Sequence, residues 1–340
     1  MLSRRLLALL GAIALGASAL ALSFGSNSSA VAAAEPVPTT GYTVIDDGTG
    51  LCDLYSIDLA TGILTDLPAP SSDAACVLDL AVAPNGTVYG ITGTRFLVPG
   101  SVAGFDGAGG AELVTFSATG VPSGQSLNVG GFPVSGVSGG SIAVNAAGVV
   151  YVIAINETTC DSGLRDSSLE PSIDSYAYHC LYTVDLTNGE LTQIGDGFSP
   201  FTSVYGLTSC SANMWTIAPG LTPLSVPNEP ATVSLPWYAI DPATGVPTPA
   251  GATSELLGYD CLANGTTVYA LQSSSFGVTS SSIGTAVGEE HMLGTVDPNT
   301  GLFTPTVSLS DPSALLSSFL DFAVAPPPVV PDPVTPIFTR

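Results

Sequence analysis

The sequence predicts an all-β protein: a single β-propeller of five four-stranded blades, in which the C-terminal strand completes the first blade. Two observations carry this prediction. Two different hairpin phrases alternate along the chain, and Asp185, Asp241 and Asp297 mark later copies of the first phrase at a spacing of 56 residues. Two hairpins per repeat make one four-stranded antiparallel unit, which is the pattern of a propeller blade.

The first phrase consists of a strand, a tight turn and a second strand. In the turn, Asp can accept hydrogen bonds from backbone amides two residues on, and Gly supplies the positive φ that closes the loop. The copies are LYSIDLATGILTDL from Leu54, LYTVDLTNGELTQI from Leu181, WYAIDPATGVPTPA from Trp237, LGTVDPNTGLFTPT from Leu293 and a shorter, degraded LVTFSATGVPSGQS from Leu113. The return of Asp58 and its equivalents at hairpin turns indicates an architectural role rather than a catalytic or calcium-binding one.

The second phrase is a strand of small residues, a turn built on Asn or Gly, and a strand carrying an aromatic residue, Val or Ile. Its copies are LDLAVAPNGTVYGIT from Leu78, SIAVNAAGVVYVIA from Ser141, VYGLTSCSANMWTIA from Val204 and LLGYDCLANGTTVYAL from Leu256. A half-copy, FLDFAVAP, spans residues 319–326. The first blade lacks a first strand, so we expect this half-copy to supply it and to close the ring.

The count of five depends on the interval between Asp58 and Asp185, which holds two longer blades because the degraded copy lies within it. Six blades are the alternative count. A β-sandwich or two small β domains is the rival fold, because short strands with Gly turns occur there too. The regular alternation of two distinguishable hairpins favours the propeller.

The chain divides into four segments. Residues 1–34 have a basic start, an apolar run and small-x-small cleavage sites, the layout of a secretory signal peptide; a signal anchor is the alternative. Residues 35–41 are an N-terminal extension, 42–326 the propeller and 327–340 a Pro-rich tail expected to be extended. We therefore expect a secreted or cell-surface protein with no membrane span after signal removal.

The charge balance excludes several partners. The chain has 28 acidic residues against 5 arginines and no lysine. Removal of residues 1–34 leaves only Arg95, Arg165 and Arg340 against the same 28 acids, a net charge of about −25. Such a surface repels phosphate backbones, so neither nucleic acid nor anionic membrane is an expected partner.

Six cysteines in an exported chain favour three disulfides. The expected pairs are Cys52–Cys76, Cys160–Cys180 and Cys210–Cys261. Cys160 and Cys180 bracket the longest loop, whereas Cys210 and Cys261 lie in matching first strands of neighbouring blades. No CxxC or HxxxH spacing supports a zinc site, and no metal is expected.

The two phrases, L-Y-x-[IV]-D-x-x-[TN]-G and A-V-x-P-x-G-x-V-Y, resemble the blades of secreted bacterial propellers of the quinoprotein-like and YVTN-like kind over roughly residues 42–326. The resemblance implies the fold and leaves function open, because such blades occur in binding proteins, lyases and surface proteins. It transfers no catalytic residues. The tryptophan docking motifs of cofactor-bound quinoproteins are missing, since Trp215 and Trp237 are the only tryptophans, so no cofactor is expected.

The non-repeating loops are the expected place of function. The connections between second and third strands are long in four blades, over residues 93–111, 156–178, 220–236 and 273–291, and all should emerge on one face. The sequence therefore predicts a non-enzymatic binding protein that takes a ligand, glycan or protein on this face. The alternatives are a glycan-cleaving hydrolase or lyase and a purely structural cell-surface protein.

A hydrolase or lyase would need carboxylates on the first strands. The candidates are Asp79, Asp260 and Asp321, from three consecutive blades, which could form a glycosidase-like site or hold a cation. The favoured alternative is structural: Asp79 and Asp321 occur in the same LD-[LF]-AVAP context and would hydrogen-bond the next blade. His179 and His291 each begin a third strand and are expected to have surface or packing roles.

Overall fold

The computed structural model describes fifteen stretches of the chain. They are residues 37–46, 52–67, 77–92, 111–116, 122–129, 132–133, 141–155, 179–198, 204–210, 213–217, 235–253, 256–262, 265–273, 291–309 and 318–327. All of them belong to one compact unit, Pro36–Arg340. Every regular element in these stretches is a β-strand, and none of them forms a helix long and apolar enough to cross a membrane.

The strands follow the two hairpin phrases closely. In chain order they are β1 (Thr40–Asp46), β2 (Cys52–Asp58), β3 (Leu64–Asp66), β4 (Val77–Val82), β5 (Val88–Thr92), β6 (Glu112–Phe116), β7 (Pro122–Ser126), β8 (Asn128–Val129), β9 (Phe132–Pro133), β10 (Ser141–Val144), β11 (Val150–Ile155), β12 (His179–Val184), β13 (Leu191–Phe198), β14 (Tyr205–Cys210), β15 (Asn213–Ile217), β16 (Leu235–Ile240), β17 (Pro247–Thr253), β18 (Gly258–Cys261), β19 (Val268–Ser273), β20 (His291–Val296), β21 (Phe303–Ser308) and β22 (Ser318–Val324).

These strands form five four-stranded antiparallel sheets, which are the five predicted blades. Blade 1 has the order β22-β1-β2-β3, and blades 2 to 5 are β4 to β7, β10 to β13, β14 to β17 and β18 to β21. The short hairpin β8-β9 is an addition between blades 2 and 3 that the sequence did not predict. The first strands β22, β4, β10, β14 and β18 contact one another in a closed cycle. The predicted five-bladed propeller is therefore confirmed.

Ring closure also follows the prediction. β22 supplies the first strand of blade 1 and pairs antiparallel with β1, with Gly41 opposite Val324 and Asp46 opposite Ser318. The Ala325 amide extends the pairing by donating to the Thr40 carbonyl. Because the two ends of the chain meet in one sheet, the ring has no unpaired strand at its seam.

The core lies between blades rather than within them. Five clusters of buried apolar side chains occur, one at each junction of neighbouring blades. At the seam, for example, Phe322 and Ile57 of blade 1 pack with Leu271 and Leu293 of blade 5. Alternate residues of each strand face opposite neighbours, so every blade buries both of its faces.

The two faces of the disc differ in their connections. Links from first to second strand and from third to fourth strand emerge on one face, here called the short-turn face, and contain two to six residues. Links from second to third strand emerge on the other, here called the long-loop face. In blades 2 to 5 the latter links contain 19, 23, 17 and 17 residues, whereas blade 1 has five. The predicted asymmetry is present.

Candidate functional site

The recurrent aspartates close turns on the short-turn face. Asp58 Oδ1 accepts hydrogen bonds from the Ala60 and Thr61 amides at 2.9 and 3.0 Å. The Asp241 and Asp297 carboxylates accept from the amide two residues on and from a threonine hydroxyl three residues on, all within 2.9 to 3.0 Å. All of these carboxylates are exposed. The architectural interpretation of the repeat is confirmed, because each carboxylate is engaged by its own turn.

These hydrogen bonds lower the pKa of the turn carboxylates. For Asp58 the main cause is the backbone amide of Thr61, and for Asp241 and Asp297 it is the amide two residues on. For Asp185 it is the Thr187 hydroxyl, which donates at 2.7 Å. A donor that stabilises the ionised form pulls the pKa down. The four side chains therefore stay negatively charged well into the acid range, which is the opposite of what a general acid requires.

The turn glycines join neighbouring blades. Gly62, Gly189, Gly245 and Gly301 all have φ between +69° and +75°. A Cβ on Gly245 would lie 2.7 Å from the Ile194 carbonyl oxygen, and one on Gly301 would lie 2.8 Å from that of Ala252. In both cases the carbonyl belongs to the outermost strand of the preceding blade. Glycine is required here both for its φ and for close approach of another backbone.

The same outer joint recurs around the ring. Gly62 of blade 1 lies against Ser308 of blade 5, and Gly189 of blade 3 lies against Ser126 of blade 2. The turn of blade 2 lies outside the described residues. At each of the other four junctions, the hairpin turn of one blade therefore rests on the outer strand of the blade before it.

Asp79 lies on the first strand of blade 2 and is buried, with 1% of its surface exposed. Its Oδ2 accepts a 2.7 Å hydrogen bond from the Ile142 amide on the first strand of blade 3, and its Oδ1 accepts from the Leu80 amide. The hydrogen bond to the next blade that the sequence suggested for Asp79 is present. A buried carboxylate held by backbone donors on both oxygens fixes two blades in register.

Asp260 joins three blades. Its Oδ1 accepts from the Thr208 hydroxyl of blade 4 at 2.8 Å, and its Oδ2 accepts from the Val324 amide of blade 1 at 3.0 Å. The side chain is 5% exposed. This bridging role was not predicted, because Asp260 lies in a Y-D-C context outside the LD-[LF]-AVAP pattern; the only sequence signal was a lone acid in a strand of small and apolar residues.

The side chain of Asp321 lies outside the described part of the chain, although its backbone belongs to β22 and pairs with Val44. Of the three candidate catalytic acids, the two described carboxylates are therefore both hydrogen-bonded between blades.

One predicted disulfide is confirmed. Cys210 and Cys261 are bonded, with Cα atoms 5.5 Å apart, and link the first strands of blades 4 and 5. Cys180 is buried and also disulfide-bonded, and its partner lies outside the described residues, as do the side chains of Cys52, Cys76 and Cys160. The confirmed bond lies beside the aromatic side chains of Trp215, Trp237 and Tyr259.

Both histidines begin third strands, as predicted: His179 opens β12 and His291 opens β20. The side chain of His179 is outside the described residues, and that of His291 is half-buried. In the described stretches no group of three or more His, Cys, Asp or Glu side chains is placed to hold a metal ion.

The predicted binding loops lie almost wholly outside the described residues. Their anchoring strand ends are described: Thr92 and Glu112 in blade 2, for example, are joined by hydrogen bonds from the Glu112 amide to Thr92 Oγ1 and from that hydroxyl to the Glu112 carbonyl. The anchor of this loop is therefore closed by both backbone pairing and a side chain.

No protein-family model matches the sequence. No curated protein matches it significantly. Among solved structures, it is similar to TolB from Acinetobacter baumannii at 12% identity and a TM-score of 0.41, covering 80% of this chain and 55% of that one. The chain thus spans about half the length of that TolB.

Two further structures are similar to it. A chain of a nidogen/laminin complex matches at 7% identity and a TM-score of 0.44, covering 84% of this chain and 98% of that one. A gluconolactonase from Xanthomonas campestris matches at 15% identity and a TM-score of 0.37, covering 79% and 77%. Likenesses this remote carry no statement about activity, ligand or partner.

Proposed function

We propose that this protein is exported and binds a glycan, small ligand or protein through its long-loop face, without chemistry of its own. The observation that carries the proposal is the difference between the two faces. In four blades, the link from the second to the third strand contains 17 to 23 residues. The links on the opposite face contain six residues or fewer. Long, non-repeating links gathered at one end of a rigid scaffold are the usual location of binding residues.

Export is supported by the signal-like residues 1–34 and by the disulfide between Cys210 and Cys261. Disulfides form and persist in oxidising compartments. A secreted or cell-surface location follows as part of the proposal.

The positions of the acids favour binding over glycan cleavage. A general acid needs a raised pKa and access to substrate, and a nucleophile needs a free lone pair aimed at it. Asp79 and Asp260 are nearly inaccessible. Asp260 accepts hydrogen bonds from neighbouring blades on both oxygens, whereas Asp79 accepts one from the next blade and one from the adjacent Leu80 amide. These contacts support a role in holding the ring together.

The test is a glycan, polysaccharide and extracellular-protein array probed with the oxidised protein, read for both retention and product release. We expect retention without product. A variant in which residues 161–177 are replaced by a short Gly-Ser linker, which keeps Cys160 and Cys180, should lose retention. A variant with the three exposed threonines Thr65, Thr248 and Thr304 changed to Ser should keep it. Product release that disappears in Asp260→Asn, in a variant that remains folded, would overturn the proposal in favour of a hydrolase or lyase.

A further inference from the structure

The short-turn face carries every large apolar side chain that is exposed in the described part of the chain. These six residues, here called the aliphatic set, are Val37, Ile63, Val149, Leu186, Val246 and Leu302, with exposed fractions from 36% to 74%. Five lie in first-to-second or third-to-fourth turns. The sixth, Val37, precedes β1 next to Thr39, whose carbonyl accepts from the Leu59 amide in the turn of blade 1.

Three members occupy one equivalent place. Ile63, Val246 and Leu302 each follow the turn glycine, and the backbone carbonyl of each accepts a hydrogen bond from the amide of the turn aspartate. The backbone carbonyl closes the turn at this place, whereas the side chains contribute little to packing because they are 53%, 57% and 67% exposed.

The fold does not require an apolar residue there. In blade 3 the equivalent residue is Glu190, whose carbonyl accepts the same hydrogen bond from the Asp185 amide. Blade 3 instead exposes Leu186 in the same turn and Val149 in the adjacent one. Blades 4, 5 and 1 are consecutive around the ring, so Val246, Leu302 and Ile63 follow one another along one edge of the short-turn face. Exposed apolar side chains that are grouped in this way are typical of an interaction surface.

The charge of this face selects the partner. The turn aspartates Asp58, Asp185, Asp241 and Asp297 are exposed on the same turns, and no described residue is a lysine or arginine. A second copy of the chain would bring like charges together, and phosphate-bearing partners would be repelled. Neutral glycans favour aromatic platforms, and the aliphatic set contains no aromatic residue.

We propose that the short-turn face docks a cationic amphipathic polypeptide segment, whose apolar side chains cover the aliphatic set while its lysines or arginines face the turn aspartates. This surface is separate from the long-loop face and does not depend on the function proposed for it. Affinity would come from apolar burial at the centre of each contact, and the carboxylates would supply orientation and association rate.

The probe is a fluorescein-labelled 12-residue peptide of alternating leucine and lysine, titrated by fluorescence anisotropy against the full oxidised protein. We expect saturable binding. The variant I63S/V246S/L302S should bind at least fivefold more weakly. The matched control T65S/T248S/T304S changes exposed residues two positions further along the chain, in the outer strands of the same three blades, and should bind like the wild type.

A second peptide, with serine in place of leucine, separates docking from bulk charge attraction. We expect it to bind the wild-type protein at least fivefold more weakly than the leucine peptide. Absence of binding by the leucine peptide, a smaller effect of the triple variant, or equal binding of the serine peptide would each overturn the proposal. Because the three substituted residues are more than half exposed, an unchanged thermal unfolding midpoint should accompany the loss of binding.

Discussion

The blades are joined in two different ways, at the inner strands and at the outer turns. The outer joints are alike: at four junctions a turn glycine lies against the outer strand of the preceding blade. The inner joints differ from one another, with Asp79 between blades 2 and 3, Asp260 between blades 5 and 1, and a disulfide between blades 4 and 5. The first phrase thus encodes the outer joints, whereas residues that differ between copies of the second phrase encode the inner ones.

The largest effect should come from the inner joint between blades 4 and 5. The Cys210–Cys261 bond closes a loop with a sequence separation of 51, and its loss should cost about 4 kcal/mol on the chain-entropy account. C210S/C261S should therefore unfold at markedly lower urea. Both tryptophans of the chain stack beside this joint, at a centroid distance of 5.9 Å, so their fluorescence reports it directly. Equal urea midpoints for variant and wild type would contradict the prediction.

Asp260→Ala should have the next largest effect. It leaves the Thr208 hydroxyl and the Val324 amide buried without their acceptor, at a cost of about 2 to 4 kcal/mol. Asp66→Ala, at an exposed strand end, is the control and should change stability much less. The measurement is the free energy of unfolding in urea. If the two variants were equally stable, the Asp260 carboxylate would not stabilise the junction of blades 5 and 1.

An outer joint can be tested with glycine substitutions. Gly245→Ala should cost about 1 to 2 kcal/mol for the left-handed backbone alone, and more because the Cβ meets the Ile194 carbonyl. Gly148→Ala is the matched control, since Gly148 has φ +78° but nothing lies within 4 Å of its would-be Cβ. The difference between the two variants measures the interblade contact. If both variants lost the same free energy of unfolding, the contact between Gly245 and the Ile194 carbonyl would contribute nothing to stability.

A smaller effect is expected from the turn aspartates, and it depends on pH. Their folded-state pKa lies below the ordinary 3.8, so the stability that they contribute is complete above that value and is lost as pH falls through the lowered pKa. As the pH falls from 5 to 2, the free energy of unfolding of Asp241→Asn should therefore decrease less than that of the wild type. Urea midpoints across this range check the prediction, and parallel curves would contradict it.

The smallest effect is expected at the junction of blades 3 and 4. Ser141 pairs with Ile153 as Asp79 pairs with Ile91, so it occupies the equivalent place one blade on. Its hydroxyl is buried and makes no hydrogen bond. Ser141→Ala should therefore change the free energy of unfolding by less than about 0.5 kcal/mol, or raise it slightly. A loss as large as that of Asp260→Ala would show that the hydroxyl has a structural role.

The sequence predicted what is local and repeated. Blade count, ring closure, the turn role of Asp58 and the Cys210–Cys261 bond followed from phrases whose hydrogen bonds lie within one hairpin or in matching strands. The bridging role of Asp260 and the second role of Gly245 did not, because both depend on which backbone atoms of a neighbouring blade approach them. Periodicity along the chain shows that a position recurs, but it does not show which backbone atom of the neighbouring blade approaches it.

The pairing of β1 with β22 also sets how the ring responds to mechanical load. β1 begins and β22 ends at the short-turn face, where the Ala325 amide donates to the Thr40 carbonyl. A force that separates these two ends would break their hydrogen bonds one after another, beginning at that pair, rather than all at once. The seam should therefore open like a zipper under tension, at a force lower than that needed to shear two strands past one another.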